Sequence, residues 1–512
     1  MPELPDFLPP VTPGDTLNQQ APLASVLSTD LAGGSPIPVA YGNVQIGGTI
    51  FAASFTGGFW YVGAYFCVGE IEAIDNIYLN GAAPVAGVTY NTYTGTTSQT
   101  ADALLAAGIT GYTDTLVEAH PSGNIGIAYV ALKYSDSHYS GFPKIVAELR
   151  GRKVYNPATS TTAYSRNPAL ALRDFIVDAR FGLGDSVDDT SLQALQTDND
   201  ATVTTEARRQ VDVVCSGTRP ASSWVKTLEA YAGGWALRRG DKWYFASDRP
   251  GTSVATFTTA NIVARSLKVT VVGREQKPTR VRVIYSDTGP TIWRERDDPK
   301  AELSGVSSGT VPLRESVIRL AGITRYSQAV REATERLNKL QHGLSISFVA
   351  RDDHLGIELG DIITVTHAYG FASQLFRVTK PPTRVGLGRI KIDATTYAAG
   401  DYSDVEPATP TYGDSSERVG TDNDVTDISN QYQEWDDILN VPAGITGIAY
   451  QSTAPSSPNT GDFWIDSDDD KQYRWSGSAW VQVQDDDIAQ ALSNAATAQS
   501  TADGKVFVFY SA

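Results

Sequence analysis

Across 512 residues, very few stretches keep a helical period for long; most of the rest is short runs rich in Val, Ile, Thr and Tyr, punctuated by glycine. That scarcity restricts the chain to sheets joined by turns, with a few helices laid against them. Two helices stand out. "NPALALRDFIVDARFGLGD" (167–185) has Asn167 to cap it, Pro168 at its first position and an apolar side of Leu170, Leu172, Phe175 and Ile176. Gly182 and Gly184 are placed to stop it, which predicts a helix over 167–181. The second, over 325–341, carries Tyr326, Val330, Ala333, Leu337 and Leu340 at spacings of four and three, with Gly343 to end it. The fold class expected is mainly β (α+β), and the length suggests about three to four domains.

The punctuation divides the chain. Eight of the 26 prolines fall in the first 38 positions, so residues 1–35 read as an extended Pro-rich arm. A first β domain follows over 36–165, with strands in 37–55, 59–81 and 125–135 and a tight turn at Asn80-Gly81. Residues 90–122 form a Thr/Gly-rich insertion with a short helix at 100–107, and 144–157 reads as two strands turning at Gly151. Residues 166–252 combine the capped helix, a second helix broken at Gly233-Gly234, and a hairpin turning at Arg239-Gly240-Asp241. A second β domain occupies 253–404 around the 325–341 helix; in it Val281, Val283 and Tyr285 alternate with Arg280, Arg282 and Ile284. An acidic linker (405–445), a small Trp-rich β module (446–485) and a helix (486–512) complete the order. Ile488, Leu492, Ala495, Gln499 and Ala502 follow a 4-3-4-3 spacing there, a candidate trimer stalk too short and alanine-rich to hold alone.

The net charge is −17 and unevenly spread. Lys133 is the first basic side chain, and residues 1–132 contain ten acidic ones. Free-standing domains intersperse both signs, whereas interface cores are depleted of charge, so this segment is expected to be surrounded by partner subunits. Nonspecific nucleic-acid binding is disfavoured, and no sequence-specific nucleic-acid binding is expected. Cys67 and Cys215 are too few for a disulfide framework, a Cys-based zinc site or a four-cysteine cluster; they are expected to be buried free thiols. The N-terminus has no positive region or apolar core, and "FWYVGAYFCVG" (59–69) is too short and glycine-rich to span a bilayer; a soluble chain is expected.

A search for chemistry is mostly negative. Gly305-Val306-Ser307-Ser308-Gly309 matches the nucleophile-elbow pattern but lacks the buried strand before it and the helix after it, so it reads as a surface loop. His120, His138, His342, His354 and His367 show no ligand spacing. Asp466, Asp468 and Asp470 mimic the start of a calcium loop without its glycine or terminal glutamate. No two carboxylates stand out as an acid–base pair. No catalytic, cofactor-binding or metal-binding residue is assigned, no cofactor is expected, and the chain is expected not to be an enzyme. Trp464, Tyr473, Trp475 and Trp480 admit two readings: stacking on sugar rings, or the core of a three-stranded mini-sheet.

Six segments then fall into a familiar order. "SPIPVAYGNVQIGG", "CVGEIEAIDNIYLNG", "GFPKIVAELRGRKVYNP", "NPALALRDFIVDARFGLGD", "SVIRLAGITRYSQAVREATERLNKL" and "LGDIITVTHAYGFASQLFRVTK", followed by "TTYAAGDYSD", resemble the tip attachment (J-like) proteins of long-tailed phages over residues 36–404. The resemblance implies β-barrel and β-sandwich-like hub domains braced by helices such as 167–181. It implies a homotrimeric central hub at the distal end of the virion tail, stacked on the distal tail ring and closing the tube. Its implied partners are other tail-tip proteins, the tape measure protein in the lumen and, through a C-terminal extension, a host surface receptor. A lumen lined without Lys or Arg would not hold DNA in transit. Two readings compete: a carbohydrate- or receptor-binding fibre protein acting through the aromatic module, and an envelope-degrading hydrolase.

Overall fold

Gly57 and Gly58 both take positive φ, 62° and 82°, and a two-residue turn of that kind matches the twist of the strands it joins. It folds Thr49–Thr56 onto Phe59–Val68, which pairs in turn with Ile127–Ser135. Thr89–Thr94 closes one edge of this sheet, and Asp30–Leu31, at the end of the proline-rich arm, lies parallel to Thr49 and Ile50 on the other. The computed structural model describes residues 27, 29–31, 36–112, 125–139, 141–216, 219–351, 356–402, 404, 407 and 448–482, the last without 459, 461, 467, 469 and 470. The chain divides into two compact units, 1–411 and 412–512.

In the first unit a second sheet is built on Ile145–Asn156, which pairs with Asn43–Gly47, Ile71–Leu79 and Thr161–Tyr164. The two sheets share a core of Val44, Ile46, Val62, Phe66, Val130 and Leu149, which makes a β-sandwich. No turn occurs at Gly151, contrary to expectation: Ile145–Asn156 is one continuous strand. A Cβ at Gly151 would lie 2.5 Å from the Ala40 carbonyl oxygen, and its N–H donates to the Gly42 oxygen at 2.7 Å. The glycine permits a close backbone approach, which a sequence reader sees as a turn signal. Within the insertion, helix α1 (Ala103–Gly108) is capped by Asp102, whose carboxylate accepts from the Leu105 N–H. It presses Leu105 against Tyr65 and Tyr129 on the outer face of the first sheet.

Helix α2 (Pro168–Val177) is capped by Asn167, with Pro168 at its first position, as its sequence implies. It ends four residues before the expected 181, because the chain turns at Asp178 and folds back; the Leu183 N–H donates to the Phe175 oxygen. Helix α3 (Asp189–Asp200) has too thin an apolar stripe to read from sequence: only Leu192 and Leu195 are buried apolar residues. Helix α4 (Ala221–Ala232) ends at Gly233, and the hairpin Gly234–Arg239 with Lys242–Ser247 turns at Gly240. Arg280–Asp287 pairs with Glu315–Leu320 in parallel and with two short strands antiparallel. Helix α5 (Tyr326–Gln341) lays Ala329, Ala333 and Leu337 into the same core as Val281, Val283 and Tyr285. Phe175 and Ile176 of α2 and Leu228 of α4 complete that core, so residues far apart in the chain share one apolar centre.

A seven-stranded sheet completes the first unit. Its core of Phe257, Phe348, Ile363, Phe376 and Ile392 is drawn from five of its strands. Strands make up 43% of the structure and helices 16%, so the class is mainly β with several sheets. No sheet closes into a barrel among the described residues; of the two expected forms, the sandwich is the one present.

The second unit contains a four-stranded sheet. Ile448–Gln451 runs parallel to Phe463–Asp466, and Gln472–Trp475 and Trp480–Gln482 continue it antiparallel. The candidate stalk positions Ile488, Leu492, Ala495, Gln499 and Ala502 lie outside the described residues, as does the 405–445 linker apart from residue 407.

Candidate functional site

Three clusters of charged side chains fasten the elements of the first unit to one another. In the first, Asp174 on α2 accepts from Arg152 Nε at 2.7 Å and from the Tyr41 hydroxyl at 2.7 Å. Arg152 also reaches Asp178 at 3.1 Å, and its guanidinium lies 4.9 Å from the centre of the Phe181 ring. Both Tyr41 and Arg152 belong to the first β region, so α2 is a brace in the physical sense. In the second cluster, buried Asp212 accepts from Arg166 and Thr324, each at 2.5 Å, and from the Asn43 N–H at 2.8 Å.

The third cluster is the largest. Asp248, at the end of the hairpin, accepts from Lys339 Nζ at 2.9 Å, Arg377 Nη1 at 2.9 Å and the Tyr402 hydroxyl at 2.6 Å. Glu335 on α5 takes Arg209 at 3.0 Å and Arg249 at 3.2 Å, and Asp404 receives both Arg208 and Arg249. Burial pushes the Asp248 carboxyl up, but Lys339, Arg377 and the Tyr402 hydrogen bond outweigh it and hold the group down at about 2. A cavity of about 40 Å³ beside Glu335 and Lys339 has room for about one water and not for a ligand of ordinary size. Reading α5 by its apolar stripe alone missed this cluster. Gln328, Arg331 and Glu335 are buried as well, and with Lys339 they form a polar stripe at helical spacing beside the apolar one. That stripe was the available signal.

The aromatic residues singled out from sequence do come together. Trp464 is buried and stacks on Tyr473 with centroids 4.8 Å apart; Trp480 meets Trp464 edge-on at 5.7 Å and Trp475 at 5.4 Å. The Trp464 indole N–H donates to the Gln451 oxygen at 2.7 Å and that of Trp480 to the Pro455 oxygen at 3.4 Å. These rings form the centre of the small sheet, and Tyr473, Trp475 and Trp480 each keep part of their surface in solvent.

Cys67 and Cys215 are free and buried. Burial pushes the Cys67 thiol up to about 11 and raises that of Cys215 further. Ser307 donates to Glu302 from an exposed loop, and His342 Nε2 pairs locally with Asp401 at 2.7 Å. Asp466 accepts from the Asp468 N–H at 3.0 Å in a turn, while Asp470 lies outside the described residues. Among the described residues, no three His, Cys, Asp or Glu are grouped to hold a metal ion, and no helix is long and apolar enough to cross a membrane.

Buried ion pairs thus lock sheets to helices in the first unit, and the chain is similar to known proteins of phage tails. The tip attachment protein J of Escherichia phage SECphi27 is 24% identical over 221 residues, which is 40% of this chain and 18% of that protein. The chain thus matches less than a fifth of that relative's length. A chain in the virion of a native gene transfer agent particle superposes with a TM-score of 0.52 at 16% identity, over 75% of this chain and 89% of that one. The 43 kDa tail protein of prophage MuSo2 from Shewanella oneidensis covers 72% of this chain and all of its own, at 9% identity and a TM-score of 0.31. No family model matches. The chain is thus similar to a phage tail-tip protein, as its ordered segments implied.

Proposed function

We propose that this chain is the central hub of a tail tip. Three copies surround an axis, close the distal end of the tail tube and connect it to the central fibre used in host attachment and genome delivery. The role is structural and not enzymatic. The partners are the distal tail ring, other tail-tip proteins and the tape measure protein in the lumen, with a host receptor engaged through a C-terminal extension. One observation carries this reading: the tail-tip segments occur in order over 36–404, and the chain is similar to a tip attachment protein. The absence of Lys and Arg from residues 1–132 supports it, because subunits packed around an axis need little charge on their contacting faces. Light scattering on the full chain tests it: the expected mass is that of three copies, and a chain truncated after residue 445 should stay trimeric if hub contacts hold the ring. A lone monomer at high concentration would refute the hub.

The aromatic module supports a second reading, a glycan-binding fibre unit, through the partly exposed Tyr473, Trp475 and Trp480. Replacing Trp475 with alanine separates the two. Lost adsorption with intact particles favours sugar stacking; unchanged adsorption assigns the rings to packing alone.

A further inference from the structure

Two exposed patches of the first unit are complementary in chemistry. The first is the tip of the hairpin formed by Thr383–Gly386 and Arg389–Thr396. Leu387 is 102% exposed, so it touches nothing in its own chain, and Val385 is exposed beside it. Arg384 and Arg389 flank this tip, and Arg351 faces Arg389 across the sheet. None of the three arginines has an acidic partner among the described residues, whereas Lys391, next in the hairpin, pairs with Asp393 at 3.3 Å. Most other arginines of this unit are in ion pairs, as Arg152, Arg209, Arg282 and Arg377 are. Arginine is among the residue types enriched at interface hot spots, and Leu387 and Val385 add an exposed apolar tip between Arg384 and Arg389.

The second patch is aromatic. Phe55 (51% exposed) and Phe142 (43% exposed) flank the Trp60 ring, each with its centroid 5.1 Å from that of Trp60. Asp136 accepts from the Trp60 indole N–H at 3.0 Å, which places a carboxylate at the rim. Phe55 and Trp60 belong to the stretch of 132 residues that contains no Lys or Arg. Lys133, over the neighbouring Phe59 ring at 4.6 Å, is the first cation after it.

We propose that the 383–391 hairpin of one copy seats on the Phe55–Trp60–Phe142 patch of the next copy. Leu387 and Val385 cover the rings, and Arg384 and Arg389 lie over ring faces and beside Asp136. Guanidinium groups stack well on aromatic faces, and arginine and aromatic residues are the types enriched in interface cores. The occupant is a second copy because knob and platform are on the same chain, the knob carrying Arg384 and Arg389 and the platform's Phe55 and Trp60 lying in the stretch with ten acidic residues and no Lys or Arg. Two different patches meeting head to tail generate a ring when the rotation closes, which fits three copies about an axis. This inference rests on the hub reading above and adds its contact.

The test is cross-linking of full-length chains. Leu387→Cys and Phe55→Cys are made in differently tagged copies, co-expressed and oxidised; the native thiols are buried and do not compete. The expected product is a covalent heterodimer of the two single variants, absent when either is expressed alone. Chains that are trimeric by light scattering but give no heterodimer, or that cross-link through Leu387→Cys alone, overturn the contact and leave the hub standing. A monomer removes both. As a second readout, Leu387→Asp with Arg389→Glu should weaken self-association tenfold or more. Unchanged self-association with lost docking onto purified tails would overturn the proposal and make the occupant another tail protein.

Discussion

Asparagine keeps the shape of Asp248 and removes its charge, so Asp248→Asn isolates what this carboxylate does. Lys339 and Arg377 each sit 2.9 Å from it, and both Asp248 and Arg377 are buried. Removing one partner of a buried pair strands the other charge at a cost of about 3–5 kcal/mol. The depressed carboxyl offers an independent figure: a fall from 3.8 to about 2 corresponds to about 2.4 kcal/mol of stabilisation at neutral pH. The smaller number counts the native carboxylate alone; the larger adds the two cations left without it. Because the folded value lies below the unfolded one, this stabilisation is complete above about pH 4 and disappears as the pH falls through about 2. Urea unfolding followed by tryptophan fluorescence reads it, with Trp235 reporting locally, since the Arg377 guanidinium is 5.8 Å from its ring. With a slope of about 3 kcal/mol per molar, the midpoint of the first unit should drop by about 1 M at neutral pH. The difference between variant and wild type should then shrink toward zero near pH 2. A shift below about 0.2 M at neutral pH, or one that persists undiminished in acid, would refute the assignment of the carboxylate as the anchor of this cluster.

Other consequences are simpler. Gly151→Ala places a methyl 2.5 Å from the Ala40 oxygen and should cost about 1–3 kcal/mol, seen as a lower melting temperature; an unchanged melt contradicts the close approach. Cys67 and Cys215 should resist a thiol reagent such as Ellman's in the native protein and both react after unfolding, because burial hides them and raises their pKa values. Prompt native labelling of either would argue against that burial. Trp464→Ala should lose about 3–5 kcal/mol from the second unit and abolish its near-ultraviolet dichroism, whereas Trp475→Ala, at a partly exposed ring, should cost less; equal losses would contradict the difference in burial.

How much of this could be read in advance depended on the distance over which each element is decided. Helix α2 was legible because Asn167 and Pro168 mark its start locally. Its end was misplaced by four residues, since the fold-back at Asp178 depends on contacts that no period encodes. The strand around Val281, Val283 and Tyr285 was legible because one face is buried and the period is two. Thr89–Thr94 escaped notice: as a mostly exposed edge strand it alternates nothing. Gly151 was misread because its neighbour, Ala40, lies more than a hundred positions away. Three strands of the aromatic module were legible, since their rings lie within a few tens of residues and pack on one another, whereas the fourth, Ile448–Gln451, joins in parallel from outside the Trp cluster and was not.

The charged clusters were the least legible part, and the reason bears on function. Arg209 and Glu335 are 126 positions apart, Asp248 and Arg377 129, Asn43 and Asp212 169. Each acid and each arginine alone looks like a solvated surface residue. Buried ion pairs are an inefficient source of stability, because desolvation offsets most of their attraction. Apolar contacts would hold the same elements together at similar strength, but they are non-directional and tolerate slip. A carboxylate that accepts from three donors in fixed directions does not. All three clusters sit at junctions, where α2 meets the sandwich, where Asp212 gathers strand, loop and helix approach, and where the hairpin, α5 and the seven-stranded sheet converge. A subunit packed against copies of itself needs those angles held more than it needs extra stability, because a small error at each junction multiplies around a ring. The proposed hub accounts for why charge was buried at these places.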